Sequence, residues 1–134
     1  MSAPIQPGDK MSFRKTLTVA EQAMFTGISG NLAPLYVDQR AAREAGFDAM
    51  LAFELHGAAL ATTALNRLAG PAWRLGALQI DFSAPVLVGQ TIESSVEVTA
   101  ADAEGVVCRV RCALAGGATV AEGTARLVPA AKGR

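Results

Sequence analysis

The chain has 134 residues, 51% of them hydrophobic, so it can bury one packed core, and we expect a single domain over residues 1–134 without a linker. Its twelve basic and twelve acidic residues balance, and like charges gather only at Lys132 and Arg134 near the end of the chain. Nucleic acid and acidic membrane surfaces are therefore unfavourable partners.

The start of the chain gives no sign of export. Its first residues, MSAPIQPGDKMSF, lack the basic segment and the following apolar run of a signal peptide. No later segment approaches the roughly 18 consecutive apolar residues of a membrane-spanning helix. These features predict a cytoplasmic protein without a membrane partner.

The N-terminal part of the chain is predicted to form a strand followed by a short helix. A Gly-Asp turn and the alternating segment MSFRKTL are typical of a half-buried strand within residues 5–16. Thr18 and Glu21 form a capping-box pattern, in which each side chain satisfies a free backbone N–H of the other. The helix that begins there should end within 27–30, where two glycines stand.

The next two helices are predicted on either side of residue 50. Asp38 is placed to cap a short helix, QRAAREAG, whose Gly46 supplies the left-handed residue at its end. The segment GNLAPLY, residues 30–36, is therefore predicted to be a loop between two helices. The longest helical pattern runs over 53–68 and carries small apolar residues on more than one face, so we expect this helix to be buried by a sheet.

Four strand-like segments complete the chain, at 74–82, 91–99, 106–115 and 118–128. In TIESSVEV, Ile92, Val96 and Val98 should face one way and Glu93, Ser95 and Glu97 the other. Gly116-Gly117 predicts a hairpin between the last two strands. The element order predicts an α+β domain of the hotdog type, an antiparallel sheet wrapped around a central helix. Since such a sheet leaves an edge strand to be covered, we expect a homodimer.

The two cysteines are predicted to be reduced residues of the core. Cys108 and Cys112 would lie on one face of a strand at a separation of roughly 13 Å, too far apart to form a disulfide. A metal site would need more ligands than these two and the single His56. Motifs of nucleophile elbows, P-loops, dinucleotide folds and zinc sites are also missing, so neither a metal nor a cofactor is expected.

Several segments resemble the MaoC-like, or (R)-specific enoyl-CoA hydratase, branch of the hotdog superfamily. The hydratase motif G-D-x-N-P-x-H precedes a helix that begins D-x-x-x-A, and Gly30, Pro34 and Asp38 fall in register with it. Further similarities are Gly46-Phe47, His56-Gly57 and FSAPV before Val88-Gly89. The resemblance spans residues 8–128 and implies a hotdog fold that handles acyl thioesters.

The chain departs from this motif at the catalytic positions. Asn31 stands where these hydratases have the catalytic Asp, Ala33 where they have Asn, and Tyr36 where they have the catalytic His. Asn does not titrate near neutral pH, and Tyr, with an ordinary pKa of about 10, is a poor base there but can donate a proton. Two interpretations stay open. Asn31 and Tyr36 are structural, or the amide orients a water and the phenol hydrogen-bonds a thioester.

Four other residues are site candidates. The resemblance implies that the Gly57 N–H, at the start of the central helix, binds the thioester carbonyl, and Pro34 belongs to the same substrate-binding motif. His56 is either a structural residue or a catalytic one in support. The segment between Phe47 and His56 is longer than is usual in the family and introduces Glu54, which we hypothesise replaces the missing carboxylate. The alternative for Glu54 is a solvated acid that favours the helix dipole.

The sequence supports three functional hypotheses, all with an acyl-CoA or acyl-ACP thioester as the bound molecule. The first is a divergent enoyl-CoA hydratase or 3-hydroxyacyl dehydratase, with Tyr36 as acid, Asn31 placing water, and His56 or Glu54 in support. The second is a non-catalytic acyl-CoA-binding chain, or a subunit that pairs with a heteromeric hotdog partner. A thioesterase ranks behind both. Arginines that suit the coenzyme A phosphates are Arg40, Arg43, Arg67 and Arg74.

Overall fold

The computed structural model describes residues 4–131, which exclude the basic pair Lys132 and Arg134. The described strands are β1 (Lys10–Thr16), β2 (Trp73–Phe82), β3 (Thr91–Ala101), β4 (Val106–Leu114) and β5 (Thr119–Pro129). They form one antiparallel sheet in the order β1-β3-β4-β5-β2. The helices are α1 (Val19–Ser29), α2 (Pro34–Val37), α3 (Gln39–Glu44) and α4 (Leu55–Ala69). The predicted α+β hotdog fold is confirmed.

Helix α4 is the buried helix that the sequence predicts, and it contacts strands β1 to β4. Its small residues Ala61 and Ala64 are completely buried, so the sheet approaches this face of the helix closely. The helix begins at Leu55 and not at Phe53 as predicted. Before the helix, the Ala52 N–H donates to the Val86 carbonyl at 2.7 Å and the Phe53 N–H donates to Oε1 of Gln22 at 3.3 Å, so the backbone of this segment is bonded to neighbouring elements. Among the described residues, no helix is long and apolar enough to span a membrane.

The face of the sheet that meets α4 follows the predicted alternation. In β3, Ile92, Val96 and Val98 are at most 2% exposed, while their neighbours Glu93, Ser95 and Glu97 lie on the outer face. The four C-terminal strands begin and end within two residues of the predicted positions. The core that results joins α4 to the middle of the sheet through Ala61, Ala64, Leu65, Val96, Val98, Val106, Cys108, Val110, Ala125 and Leu127.

The two cysteines are free and buried on the inner face of β4, as predicted. Burial raises the pKa of both thiols, so both stay protonated at neutral pH. The Sγ atom of Cys112 lies 3.3 Å from the Ser94 hydroxyl, which is itself buried and donates to the Gly57 carbonyl. Cys112 thus lies directly beneath the start of α4.

Helix α1 has both predicted termini. The Thr18 side chain accepts a hydrogen bond from the Ala20 N–H at 3.2 Å, and the Thr18 N–H donates to Glu21 at 2.8 Å. Gly30 ends the helix with φ of 72°, a left-handed conformation that favours glycine. The local signals of this helix were therefore sufficient.

The segment GNLAPLY is only partly a loop, which corrects the prediction for residues 30–36. Pro34 begins the one-turn helix α2, because its ring presets a helical φ and the first helical position needs no N–H donor. Tyr36 lies inside that turn, its N–H bonded to the Ala33 carbonyl at 3.0 Å. Asp38 then caps α3, accepting from the Arg40 N–H at 2.9 Å as predicted. The helical turn brings Tyr36 to the start of α4.

Candidate functional site

A phenol and a carboxylate meet where α4 begins. The Tyr36 hydroxyl lies 2.9 Å from Oε1 and 2.9 Å from Oε2 of Glu54, the residue that immediately precedes the helix. Tyr36 is half-buried, and Glu54 is exposed. Glu54, two residues before His56, thus places a carboxylate against the Tyr36 hydroxyl.

The two members of this pair differ in what they can do with a proton. Burial is the largest cause that raises the pKa of Tyr36 above its ordinary value of 10.0, and the hydrogen bond and the charge of Glu54 act in the same direction. The phenol therefore keeps its proton at neutral pH and acts as a hydrogen-bond donor. Of the two groups, the carboxylate is the one that can accept a proton from a ligand.

A stack of aromatic rings fixes the plane of Tyr36. Its ring lies parallel to that of Phe53, with centroids 4.7 Å apart and 3° between the planes. Phe53 also stacks against Phe25 of α1 at 4.5 Å, and Phe25 meets the His56 ring edge-on at 5.3 Å. Because Phe53 is sequence neighbour to Glu54, the same stack holds both members of the pair.

The side chain of Gln22 lies at the centre of this region and is only 3% exposed. Its Nε2 donates to the Tyr36 and Leu51 carbonyls, each at 2.7 Å. Its Oε1 accepts from the Phe53 N–H at 3.3 Å and lies 3.2 Å from Nε2 of His56. One amide thus joins α1, α2, the segment before α4, and α4 itself.

His56 is buried, at 8% exposed, and its ring packs edge-on against the rings of Phe25 and Phe53. Burial lowers its pKa below 6.5, and the charge of Glu21 opposes this shift. The ring is therefore neutral at pH 7. Within the described residues, His56 contacts Gln22 through its polar edge, and no group of three His, Cys, Asp or Glu side chains that could hold a metal is formed.

Asn31 and Pro34 lie on the exposed side of the site. The Asn31 side chain accepts from the Ala33 N–H at 3.0 Å, which is an Asx turn within its own loop. Its backbone N–H donates to the Ser29 hydroxyl at 3.1 Å. Pro34 is exposed at the first position of α2. The structure thus joins Tyr36 to Glu54 and gives the Asn31 amide a partner in the loop.

A narrow cavity lies beside the pair and beneath the first turn of α4. Its volume is about 20 Å³, roughly the space of one water molecule. Glu54 and Gly57 line it, together with the apolar side chains of Leu17, Phe82, Ile92 and Val120. Gly57 is required here for space, because a Cβ atom at this residue would lie 3.2 Å from Sγ of Cys112. Its N–H bonds to the Glu54 carbonyl at 3.2 Å.

The four arginine candidates fall into two groups. Arg40 pairs with Glu44 at 3.3 Å on the exposed face of α3, and the Arg67 guanidinium lies 4.7 Å from the Phe13 ring centroid. Both therefore have partners within the chain. Arg43 lies in the last turn of α3 and Arg74 in the edge strand β2, so these two better suit an external phosphate.

Sequence reasoning missed two residues of the site, Gln22 and Phe53. Gln22 stands one position after the capping-box Glu21, and its type suggests a surface residue of a short helix. For Phe53, the helical pattern over 53–68 predicts only the first residue of the central helix. The one signal available for Gln22 was its position three residues before Phe25, on the same side of α1.

Comparisons with known proteins agree with this architecture. A family model described as MaoC like domain matches residues 3–123. The (R)-specific enoyl-CoA hydratase of Rhodospirillum rubrum is 30% identical over 132 residues, which cover 96% of this chain and 91% of that protein. The structure of the (R)-hydratase from A. caviae involved in PHA biosynthesis has a TM-score of 0.89 at 27% identity, covering 96% of this chain and 99% of that chain.

A less similar structure shows the same fold within a heteromeric assembly. It is the ChsH1-ChsH2 complex from Mycobacterium tuberculosis, with a TM-score of 0.82 at 16% identity, covering 92% of this chain and 98% of that chain. The family model spans most of the chain, and the relative from Rhodospirillum rubrum matches almost its full length. The resemblance inferred from the motif is confirmed: this chain belongs to the MaoC-like domain family of hotdog-fold proteins.

Proposed function

We propose that this chain catalyses the reversible hydration of 2-enoyl thioesters, as an enoyl-CoA hydratase or 3-hydroxyacyl dehydratase in which Glu54 replaces the family's missing aspartate. The observation that carries the proposal is the contact between the Tyr36 hydroxyl and both Glu54 oxygens at 2.9 Å. Glu54 and Gly57 line the same cavity, so the proposed base and the residue that carries the proposed backbone donor border one small space. Similarity to an (R)-specific enoyl-CoA hydratase supports the reaction class.

Glu54 serves as both base and acid in this scheme. Its carboxylate takes a proton from a water molecule while the water oxygen bonds to C3 of the enoyl group. The electron pair of the C2=C3 bond moves toward the thioester carbonyl, whose oxygen becomes negatively charged. Glu54 then returns the proton to C2, and the carbonyl re-forms to give the 3-hydroxyacyl thioester. Dehydration is the same sequence reversed.

Gly57 and Tyr36 support this carboxylate in different ways. The Gly57 N–H lies in the first turn of α4, where the helix dipole favours a developing negative charge. Its bond to the Glu54 carbonyl is 3.2 Å long, and N–H groups at helix termini are commonly shared with a second acceptor, here the thioester oxygen. Tyr36 remains protonated and aims the carboxylate through its hydrogen bond.

A second hotdog subunit completes the acyl site in this proposal. The cavity of about 20 Å³ is too small for an acyl group, which needs a wider tunnel. Phe82, which lines the cavity and is 40% exposed, ends the edge strand β2, so a subunit bound along that edge would extend the cavity wall. A homodimer is the simplest arrangement, and native mass spectrometry of the purified chain tests it.

The test of catalysis is a matched pair of variants, Glu54→Gln and Glu44→Gln. Glu44 is an exposed carboxylate on α3, so its variant controls for the loss of one surface charge. With trans-2-enoyl-CoA as substrate, Glu54→Gln should lower kcat by about 10²–10⁴-fold, the usual cost of removing a positioned base. Glu44→Gln should leave kcat unchanged. A Glu54→Gln variant that hydrates the substrate at the wild-type rate would remove Glu54 from the mechanism.

A second candidate function is a non-catalytic subunit that binds acyl-CoA or pairs with a heteromeric hotdog partner. The observation in its favour concerns Asn31, which falls at the catalytic Asp of the family motif: its side-chain oxygen accepts a hydrogen bond from within its own loop. Saturable binding of acyl-CoA without conversion, or activity that appears only with a second hotdog chain, would identify this function. Release of free coenzyme A would identify a thioesterase.

A further inference from the structure

Gln22 is buried, which is unusual for a residue type that is mostly exposed. Its amide nitrogen and its amide oxygen both have hydrogen-bond partners within the chain. A glutamine amide offers two N–H donors and two acceptor lone pairs. Here both donors go to carbonyl oxygens, those of Tyr36 and Leu51, at 2.7 Å each. The orientation of the amide is therefore fixed, because an oxygen in place of Nε2 would face two other oxygens. Because the Gln22 side chain is only 3% exposed, water cannot replace these partners.

The fixed amide determines which nitrogen of His56 carries the proton. Oε1 of Gln22 can only accept, and it lies 3.2 Å from Nε2 of His56. Nε2 must therefore carry a hydrogen. Burial keeps the ring neutral at pH 7 by lowering its pKa, with Glu21 the charged group that opposes this effect. In a neutral imidazole with the hydrogen on Nε2, the other nitrogen, Nδ1, is an acceptor.

The same amide reaches the backbone on both sides of the stack. It binds the Tyr36 carbonyl on α2 and the Phe53 N–H before α4, and the two rings lie parallel at 4.7 Å. Glu54 directly follows Phe53, so Gln22 indirectly determines how the phenol and the carboxylate face each other. We propose that Gln22 is a positioning residue that fixes His56 as the Nε2–H tautomer and holds Tyr36 opposite Glu54. Its catalytic consequence rests on the proposed function, and its structural consequence does not.

The chain contains one histidine and one tyrosine, so each residue is a unique reporter. Nitrogen-15 NMR of the histidine ring at pH 7 distinguishes the two neutral tautomers without any substrate. The wild-type protein should show the hydrogen on Nε2. In Gln22→Met, which keeps the side-chain length and removes the acceptor, the ring should shift toward the other tautomer. Gln39→Met, at the exposed start of α3, is the matched control and should leave the ring signals unchanged.

The tyrosine reports the second part of the proposal. Ultraviolet titration of the wild type should give a Tyr36 pKa above 10.0. Glu54→Gln removes the carboxylate and should bring this pKa closer to the ordinary value. Gln22→Met should do the same if Gln22 holds the pair together, while Gln39→Met should not. Gln22→Glu provides a second test, because a carboxylate at this site repels the Tyr36 and Leu51 carbonyls, and it should weaken the pair as well.

Kinetics separate positioning from fold maintenance and from the proposed reaction. If the wild type hydrates trans-2-enoyl-CoA, Gln22→Met should lower kcat by about 10²-fold, as expected for a displaced catalytic group, with KM nearly constant. Wild-type His56 with its hydrogen on Nδ1, or ring and tyrosine signals unchanged in Gln22→Met, would overturn the proposal. A wild type without turnover but with the expected NMR and titration results would defeat the proposed function and leave the role of Gln22 intact.

Discussion

Helix α4 is held in two contrasting ways along its length. Its middle, at Ala61, Ala64 and Leu65, is buried entirely by apolar contacts with the sheet. Its start is surrounded by polar groups that are satisfied by one another, with Gln22 bonded to His56 and Tyr36 bonded to Glu54. Apolar packing is non-directional and tolerates small shifts, whereas hydrogen bonds demand specific partners at specific angles. The middle of the helix therefore serves stability, and its start is suited to chemistry.

The largest expected effect comes from shortening a buried apolar side chain in the middle of α4. Leu65 is 1% exposed in the core, so Leu65→Ala should lower the free energy of unfolding by about 2–5 kcal/mol through lost transfer energy and a residual cavity. Urea unfolding followed by circular dichroism measures this. Substrate binding and turnover per folded molecule should stay near wild type. A large loss of turnover per folded molecule in Leu65→Ala would contradict the separation of the two regions.

A smaller effect is expected at Gly57, in the first turn of α4. Gly57→Ala would place a Cβ 3.2 Å from Sγ of Cys112, and overpacking of a core typically costs about 1–3 kcal/mol. Cys112→Ala removes the sulfur, so the double variant should be more stable than the sum of the single effects predicts. A double-mutant cycle from urea unfolding gives the coupling energy. Strictly additive effects would show that the sheet does not limit this position.

The smallest expected effect is a dependence of stability on pH, which arises from His56 at the start of α4. Burial lowers the pKa of His56 below 6.5, so the unfolded chain binds a proton more readily than the folded one. Stability should be full above pH 6.5, decline as the pH falls toward the folded-state pKa, and level off below it. Glu21 stays charged throughout, because hydrogen bonds from Thr18 lower its pKa to about 2.

The control for this pH effect is His56→Asn, measured by urea unfolding at several pH values. Since the chain has no other histidine, the variant should lose most of the pH dependence between neutral pH and pH 5.5 or so. A decline of the same size in the variant would assign it to other groups. That result would weaken the contrast between the two regions of the helix.

Prediction from the sequence succeeded where a local rule was decisive. The capping box at Thr18, the left-handed Gly30 and the alternation in β3 each depend on a few neighbouring residues, and each was confirmed. The loop assignment of residues 30–36 was wrong in part, because Pro34 favours a helical turn that the pattern of glycine and asparagine obscured. The motif further identified the family, which the comparisons confirmed.

The candidate site was predicted as a set of residues but not as an arrangement. Asn31 and Tyr36 had two interpretations in the sequence, as structural residues or as ligand-binding ones; in the fold the Asn31 amide closes its own loop and Tyr36 binds Glu54. Glu54 had two interpretations in the sequence, and only the fold brings it within 2.9 Å of a residue 18 positions earlier. Gln22 was not predicted at all.

The sequence by itself determined the elements, the apolar face of α4 and the family, since these follow from periodicity, capping and a motif read along the chain. The tertiary structure decided which polar side chains meet. Gln22 contacts groups 14, 29, 31 and 34 residues away, at the start of α4 and on α2. No spacing rule encodes such contacts, because a hydrogen bond depends on atoms brought within about 3 Å by the packing of several elements at once.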